Sequence, residues 1–210
     1  MDDQKVSKYW EANAPVWTDL CRWGYDVYRD LFNAPAFQEM LGKVDGLNGL
    51  DIGCGEGYNT RLTAARGARM TAADPSPTFI RFARQSEVEN PLGIDYQIAS
   101  GHHLPFDDES FDFVMATMSL MDMPAPERAM AEAFRVLRPG GFFQFSITHP
   151  CFMTSRWRWF YDENGQRTGV ECGQYWDGND GRIEQWIFSS APEAWIQDKP
   201  LFKSQRFART

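Results

Sequence analysis

Apolar positions along the 210 residues change their period several times. In KVSKYWEANAPVWTDL, residues Val6, Tyr9, Trp10, Asn13 and Trp17 fall near helical spacing, with a break expected at Pro15. A second stripe, Tyr25, Tyr28, Leu31 and Phe32, predicts another helical piece interrupted at Pro35. Both stripes read as an amphipathic cap whose apolar side faces the core. The glycine-rich linker GKVDGLNG then leads into short apolar runs of strand length: Leu50 to Gly53, Met70 to Ala73, Ile94 to Ala99, FDFVMA and FFQFS. Helical patterns separate them. Tyr58 to Arg66 form one, and a second is capped by Ser76 or Thr78 with Phe79, Ile80 and Ala83 inward. A third, Pro124 to Leu137, has Met130, Ala133, Phe134 and Leu137 sharing a face and is stopped by Pro139-Gly140-Gly141. Strands alternating with helices predict an α/β fold: a doubly wound, mainly parallel, Rossmann-like sheet with helices on both faces.

After Thr148 the pattern changes. Five of the eight tryptophans (Trp157, Trp159, Trp176, Trp186 and Trp195) fall within residues 151–210. DENGQ carries an Asn-Gly turn signal between two strand-like runs and predicts a β-hairpin; QYW and RIEQWIF supply further strand candidates. Three parts are expected: an N-terminal helical cap (1–45), a Rossmann-like core (46–150) and an aromatic-rich hairpin or cover segment (151–210) packed on the same domain. The aromatic segment can shield a sheet edge, form a homodimer surface or cover a substrate.

Composition narrows the class. With 43% hydrophobic and 24% charged residues the chain reads as an ordinary globular protein. A formal net charge of −8 and the lack of a basic run disfavour nucleic-acid backbone binding. Cys21, Cys54, Cys151 and Cys172 show neither C-x-x-C pairing nor zinc-ligand spacing, so no metal is expected. Without an apolar leader or membrane-length run, a cytoplasmic location is expected.

The chemistry concentrates between Gly49 and Ser76. Gly53, Gly55 and Gly57 stand at alternate positions between a strand and a helix. There glycines admit positive φ and close backbone approach to a ligand, and helix N–H groups point at it. Asp74 closes the next strand about 20 residues after the first glycine, where an acid can hold a ribose diol. This is a nucleoside cradle. Its G-x-G-x-G spacing departs from the dinucleotide fingerprint G-x-G-x-x-G. The carboxylate of Asp51 would repel a pyrophosphate and suits a ligand carrying ammonium or sulfonium charge.

These residues resemble motif I of the class I S-adenosylmethionine (SAM)-dependent methyltransferases, with Asp74 as the second-strand acid. The string FRVLRPGGFFQFS resembles the family's helix–turn–fifth strand, and NTR and SITHPCF resemble strings of a small bacterial-type subgroup. The resemblance spans residues 8 to 210 and implies that SAM binds and leaves as S-adenosylhomocysteine (SAH) after methyl transfer to a small-molecule acceptor. It places the donor on Asp51, Gly53, Cys54, Gly55, Gly57, Asp74, Pro75, Ser100, Gly101 and Thr117. Ser100 departs from the family's usual aspartate at the adenine position. The N-terminal helices often fold over SAM in the family, which makes Tyr9, Trp17, Arg22 and Tyr28 lid or substrate candidates. Arg61 is a candidate for the methionyl carboxylate. The family fold ends with a further helix and an antiparallel strand pair, and no such pattern follows the fifth strand, so a sheet without them is expected.

Methyl transfer from an activated donor can rest largely on alignment, and the catalytic residue is left unassigned. His149, after the fifth strand, is the base candidate where the acceptor needs one. Two alternatives stay open: a non-catalytic SAM- or SAH-binding module and an NAD-dependent oxidoreductase.

Overall fold

The computed structural model describes residues 3–149, 151, 154, 156–174, 182–196 and 201–206. Among them five strands form one parallel sheet: β1 (Asn48–Ile52), β2 (Arg69–Asp74), β3 (Asp95–Ile98), β4 (Phe111–Thr117) and β5 (Leu137–Ser146), in the order β3-β2-β1-β4-β5. The alternation of side chains decides the core. Leu50, Ile52, Val114 and Ala116 pack on one face with Ala129, Ala133 and Val136 of α5 (Pro126–Val136). Phe113, Met115, Met70 and Ala72 pack on the other face with Ile80 and Ala83 of α4 (Pro77–Glu89) and Ala64 of α3 (Tyr58–Ala64). Both faces are buried, as a parallel sheet requires, and the doubly wound α/β architecture is confirmed.

Three details differ from the pattern-based expectation. First, α1 (Asp3–Arg22) runs through Pro15 without ending. Its neighbours Asn13, Ala14 and Thr18 are buried, and this packing outweighs the backbone hydrogen bond that proline cannot make. Second, Tyr28, Leu31 and Phe32 are more than 70% exposed. They lie at and within a π-helical turn (Arg29–Asn33) that leads into α2 (Ala34–Met40), and the turn offsets their spacing from the buried side. Third, α5 buries Ala129 and Ala133 while Met130 and Phe134 face outward, because small side chains let the helix lie close to the sheet. The helix ends at Val136; Pro139, Gly140 and Gly141 belong to the long β5, with Gly140 at φ 83°.

Among the described residues of the tail there are two separate antiparallel pairs, neither of which includes a strand of the main sheet. β6 (Arg156–Tyr161) and β7 (Arg167–Gly173) are joined through the Asn164-Gly165 turn. β8 (Arg182–Trp186) pairs with β9 (Phe202–Arg206), with the short α6 (Glu193–Ile196) between them in sequence. Tyr175 and Trp176 of the expected QYW strand lie outside the described residues, as do the side chains of Trp157 and Trp195.

The β8–β9 pair closes a third core with α1. Leu20, Cys21, Phe188, Ala191 and Phe202 are its buried members, with Trp17 and Trp186 packed against them. The Asn13 amide group also serves as an extra edge for β9: Nδ2 donates to the Lys203 carbonyl at 2.9 Å and Oδ1 accepts from the Lys203 N–H at 3.0 Å. Cap and tail are thus one packed unit.

Candidate active site

The sheet order reverses between β1 and β4, and their carboxyl ends flank the crevice where open α/β sheets bind ligands. The loop after β1 enters it through three left-handed glycines, Gly53 (φ 74°), Gly55 (φ 56°) and Gly57 (φ 89°). Two of them are also sterically required. A Cβ on Gly53 would lie 2.5 Å from Ser119 Cβ, and one on Gly57 would lie 2.5 Å from the Tyr96 hydroxyl. A Cβ on Gly55 would meet nothing within 4 Å, so this glycine faces open space. The loop is pinned beneath by the Gly53 and Cys54 N–H groups, which donate to the Ala73 carbonyl at 2.8 and 3.2 Å. Burial holds the Cys54 thiol well above its ordinary pKa, consistent with a filler rather than a nucleophile.

Two buried carboxylates face this loop. Asp51, 1% exposed, accepts from the Thr60 hydroxyl at 2.6 Å through Oδ2, while its Oδ1 has no partner. Burial pushes its pKa up to about 7; the Thr60 bond opposes the shift and the Asp74 charge adds to it. Asp74 accepts from the Ser76 N–H at 2.9 Å through Oδ1 and from the Gly55 N–H at 2.9 Å through Oδ2. Burial also raises Asp74, to about 6, against the pull of those two N–H groups. Each Asp74 oxygen retains acceptor capacity for a further donor.

The donor set fits SAM. A buried acceptor without a partner calls for a donor with positive character, and a carboxylate with spare acceptor capacity suits a diol. Thr117, at the end of β4, adds a second unpartnered buried oxygen. Pro75 is half-buried in the turn between Asp74 and α4. Ser100 holds its own turn: its carbonyl accepts from the His103 N–H at 3.0 Å and its hydroxyl from the His102 N–H at 3.2 Å. Gly101 is buried where a Cβ would meet Ile52 Cγ2 at 2.8 Å. The expected donor residues from Asp51 to Thr117 therefore converge on one end of the sheet.

The other candidates scatter. Trp17 sits inside the aromatic core, 5.1–5.5 Å from the rings of Phe202 and Trp186. Tyr9 lies under the Lys203 ammonium at 5.0 Å, and Tyr28 is exposed. Arg22 is the exception: it runs along α4, donating to the Phe82 carbonyl and the Ser86 hydroxyl, and its Nε lies 3.7 Å from Glu56 in the glycine loop. Arg61 is held on the outside by Glu87 and the Asn90 carbonyl, at 2.8 and 2.6 Å. His149 is exposed, and its Nδ1 accepts from the Cys151 N–H at 3.2 Å.

Sequence reasoning did not single out Glu11, Arg29 or Glu56, although each reaches the cradle. Glu56 stood in plain view between two of the motif glycines, where a charged residue forced into a buried loop is itself a signal.

Residues 50–145 match the family described as Methyltransferase domain. Over this span the chain is similar to the class I SAM-dependent methyltransferases. It is 36% identical over 138 residues to the human thiol S-methyltransferase TMT1A, covering 64% of this chain and 55% of that one. It is also 36% identical over 103 residues to the demethylmenaquinone methyltransferase of Tropheryma whipplei strain Twist, covering 49% of this chain and 42% of the relative. The chain thus spans about half the length of these curated relatives. A crystal structure of a SAM-dependent methyltransferase from Mesorhizobium loti superposes with a TM-score of 0.64 at 28% identity, covering 84% of this chain and 74% of the other. A Listeria monocytogenes structure shares the fold, with a TM-score of 0.65 at 19% identity. The Mesorhizobium loti protein is SAM-dependent, as its name states, and the matched span of this chain runs from β1 to β5, where the cradle lies.

Proposed function

We propose that the chain transfers the methyl group of SAM to a small-molecule acceptor. The observation that carries this reading is the unpartnered Oδ1 of Asp51, buried beside the left-handed glycine loop. Asp51 would hold the methionyl ammonium and Asp74 the ribose hydroxyls. Gly53–Gly57, with Cys54 as filler, would carry the methionyl end, and Pro75, Ser100, Gly101 and Thr117 would line the adenine and acceptor sides. When bound, the donor supplies a sulfonium-activated methyl carbon. The protein contributes alignment and exclusion of water. The relatives act on a thiol and on a demethylmenaquinone, as their names state, which favours a small acceptor over a macromolecule. The net charge of −8 agrees.

The division into cap (1–45), core (46–150) and aromatic cover (151–210) is part of the same reading. The four cysteines are unpaired thiols and suit a reducing compartment such as the cytoplasm. Among the described residues no helix is long and apolar enough to cross a membrane. The exposed β6–β7 hairpin is the surface we assign to a homodimer contact. Sedimentation of the protein with and without Phe160→Glu checks that assignment, and a monomer in both rejects it.

Calorimetry with SAH tests the donor site. Saturable one-to-one binding supports it, and no binding at millimolar SAH rejects it. Methyl transfer to an acceptor pool then separates an enzyme from a binding module that retains SAM without turnover.

A further inference from the structure

The cap is clipped to the cradle at two places, and the two clips are reciprocal. In the first, a carboxylate of the cap reaches the cradle. Glu11 of α1 accepts from the Ser76 hydroxyl at 2.5 Å, the Thr78 hydroxyl at 2.7 Å and the Thr78 N–H at 3.2 Å. Ser76 is the residue whose N–H binds Asp74 and whose hydroxyl caps α4 by accepting from the Phe79 N–H at 3.1 Å. Glu11 therefore grips the turn that carries the proposed ribose acid. Burial raises its pKa, but the hydrogen bonds from Ser76 and Thr78 outweigh that and leave it below the ordinary glutamate value.

In the second clip a carboxylate of the cradle reaches the cap. Glu56, 8% exposed, stands between Gly55 and Gly57, with Arg29 Nη1 at 3.3 Å and Arg22 Nε at 3.7 Å. Arg29 is itself fixed: it donates to Asp30 at 2.7 Å and to the Cys21 carbonyl at 3.1 Å, and its guanidinium lies 3.8 Å over the Tyr58 ring. A buried carboxylate that loses its cation must move toward water or take up a proton. Either response displaces a residue flanked by two glycines with positive φ.

On the donor reading proposed above, we infer that Glu11 and Arg29 are positioning residues of the donor site: they set the geometry of Gly53–Gly57 and Asp74 from the cap and so govern donor affinity. The Gly55 N–H donates to Asp74, so the two clips meet on one hydrogen bond of the cradle.

The test measures SAH affinity by calorimetry and amide exchange of ligand-free protein at residues 53–58 and 74–79. Variants are Glu11→Ala, Glu11→Gln, Arg29→Met, Arg29→Lys and the double Arg29→Met/Glu56→Gln. Glu11→Ala and Arg29→Met are expected to weaken SAH binding about tenfold, the scale of one lost charge-assisted contact, and to speed exchange at Gly55. Arg29→Lys, Glu11→Gln and the double variant should recover part of both, which general destabilisation would not do. Unchanged affinity and unchanged Gly55 exchange in Arg29→Met and Glu11→Ala overturn the inference. If Arg29→Met does not fold, the Glu11 pair and Arg29→Lys decide it by the same readouts. If the parent binds no SAH, the donor reading fails, and Gly55 exchange alone decides whether the clips hold the loop.

Discussion

The two hairpins of the tail are both rich in aromatic and arginine residues and reach opposite ends. In β8–β9, Phe202 is 1% exposed and ringed by Trp17, Trp186 and Phe188 at 5.1–5.4 Å. In β6–β7, Phe160 and Tyr161 are 46% and 56% exposed, and the strands are decorated by ion pairs from Arg156 and Arg158 to Glu171. A strand does not decide whether its aromatics are buried. The helix available to it does: α1 presents Trp17 and the Asn13 amide to β8–β9, and among the described residues nothing comparable faces β6–β7. Because α1 also carries Glu11, the buried hairpin is joined through α1 to the glycine-loop cradle.

The largest effect should come from removing the centre of the buried hairpin. Phe202→Ala is expected to cost about 3–5 kcal/mol in unfolding free energy, the range for a buried phenylalanine, and to weaken SAH binding as α1 loosens. Denaturant titration and calorimetry check the two parts, and a loss below about 1 kcal/mol would erase the contrast between the hairpins.

A pH series should separate the cradle from its cover. Asp51 and Asp74 have folded-state pKa values raised to about 7 and about 6. Their contribution to stability is full below the unfolded value near 4 and is lost as pH rises through 6 to 7. A cation beside Asp51 favours the ionised form. SAH affinity should therefore rise about tenfold, or about 1.4 kcal/mol, between pH 5.5 and 7.5. Asp51→Asn should flatten that slope, whereas Phe202→Ala should keep it at lower affinity.

Asn13→Ala removes both hydrogen bonds to the Lys203 backbone and should cost about 1–2 kcal/mol. Asn13→Asp, which sets a carboxylate oxygen against the Lys203 carbonyl, should not restore it in the same denaturant titration. The smallest effect is expected at Phe160→Ala: within about 0.5 kcal/mol of the parent, as for other surface changes, with SAH binding unchanged.

The sheet and the cradle were legible because local rules governed them. Gly57 must be glycine for its φ and for the Tyr96 hydroxyl above it, and Asp74 must end β2; both demands leave a fixed spacing in the sequence. The Ser76 cap and the Asn164-Gly165 turn were readable for the same reason. The cover was less so. Tyr28 and Phe32 carry the spacing of a core stripe, but a π-helical turn rotates them outward. Trp17 resembled a ligand contact until β9, far along the chain, supplied Phe202 as its partner. Arg61 and Arg29 are equal as letters. Only the fold shows that Arg61 points away toward Glu87 while Arg29 turns in toward Glu56.

The amide pair between Asn13 and Lys203 spans 190 positions of the chain. On a ribosome, the segment from β1 to β5 has emerged well before Lys203 is made, so the parallel sheet can assemble while α1 still lacks its companion. A contact of such long sequence separation forms late and slowly. The tie between α1 and β9 is therefore secured last, and until Phe202 is made Trp17 lacks one of the rings that bury it.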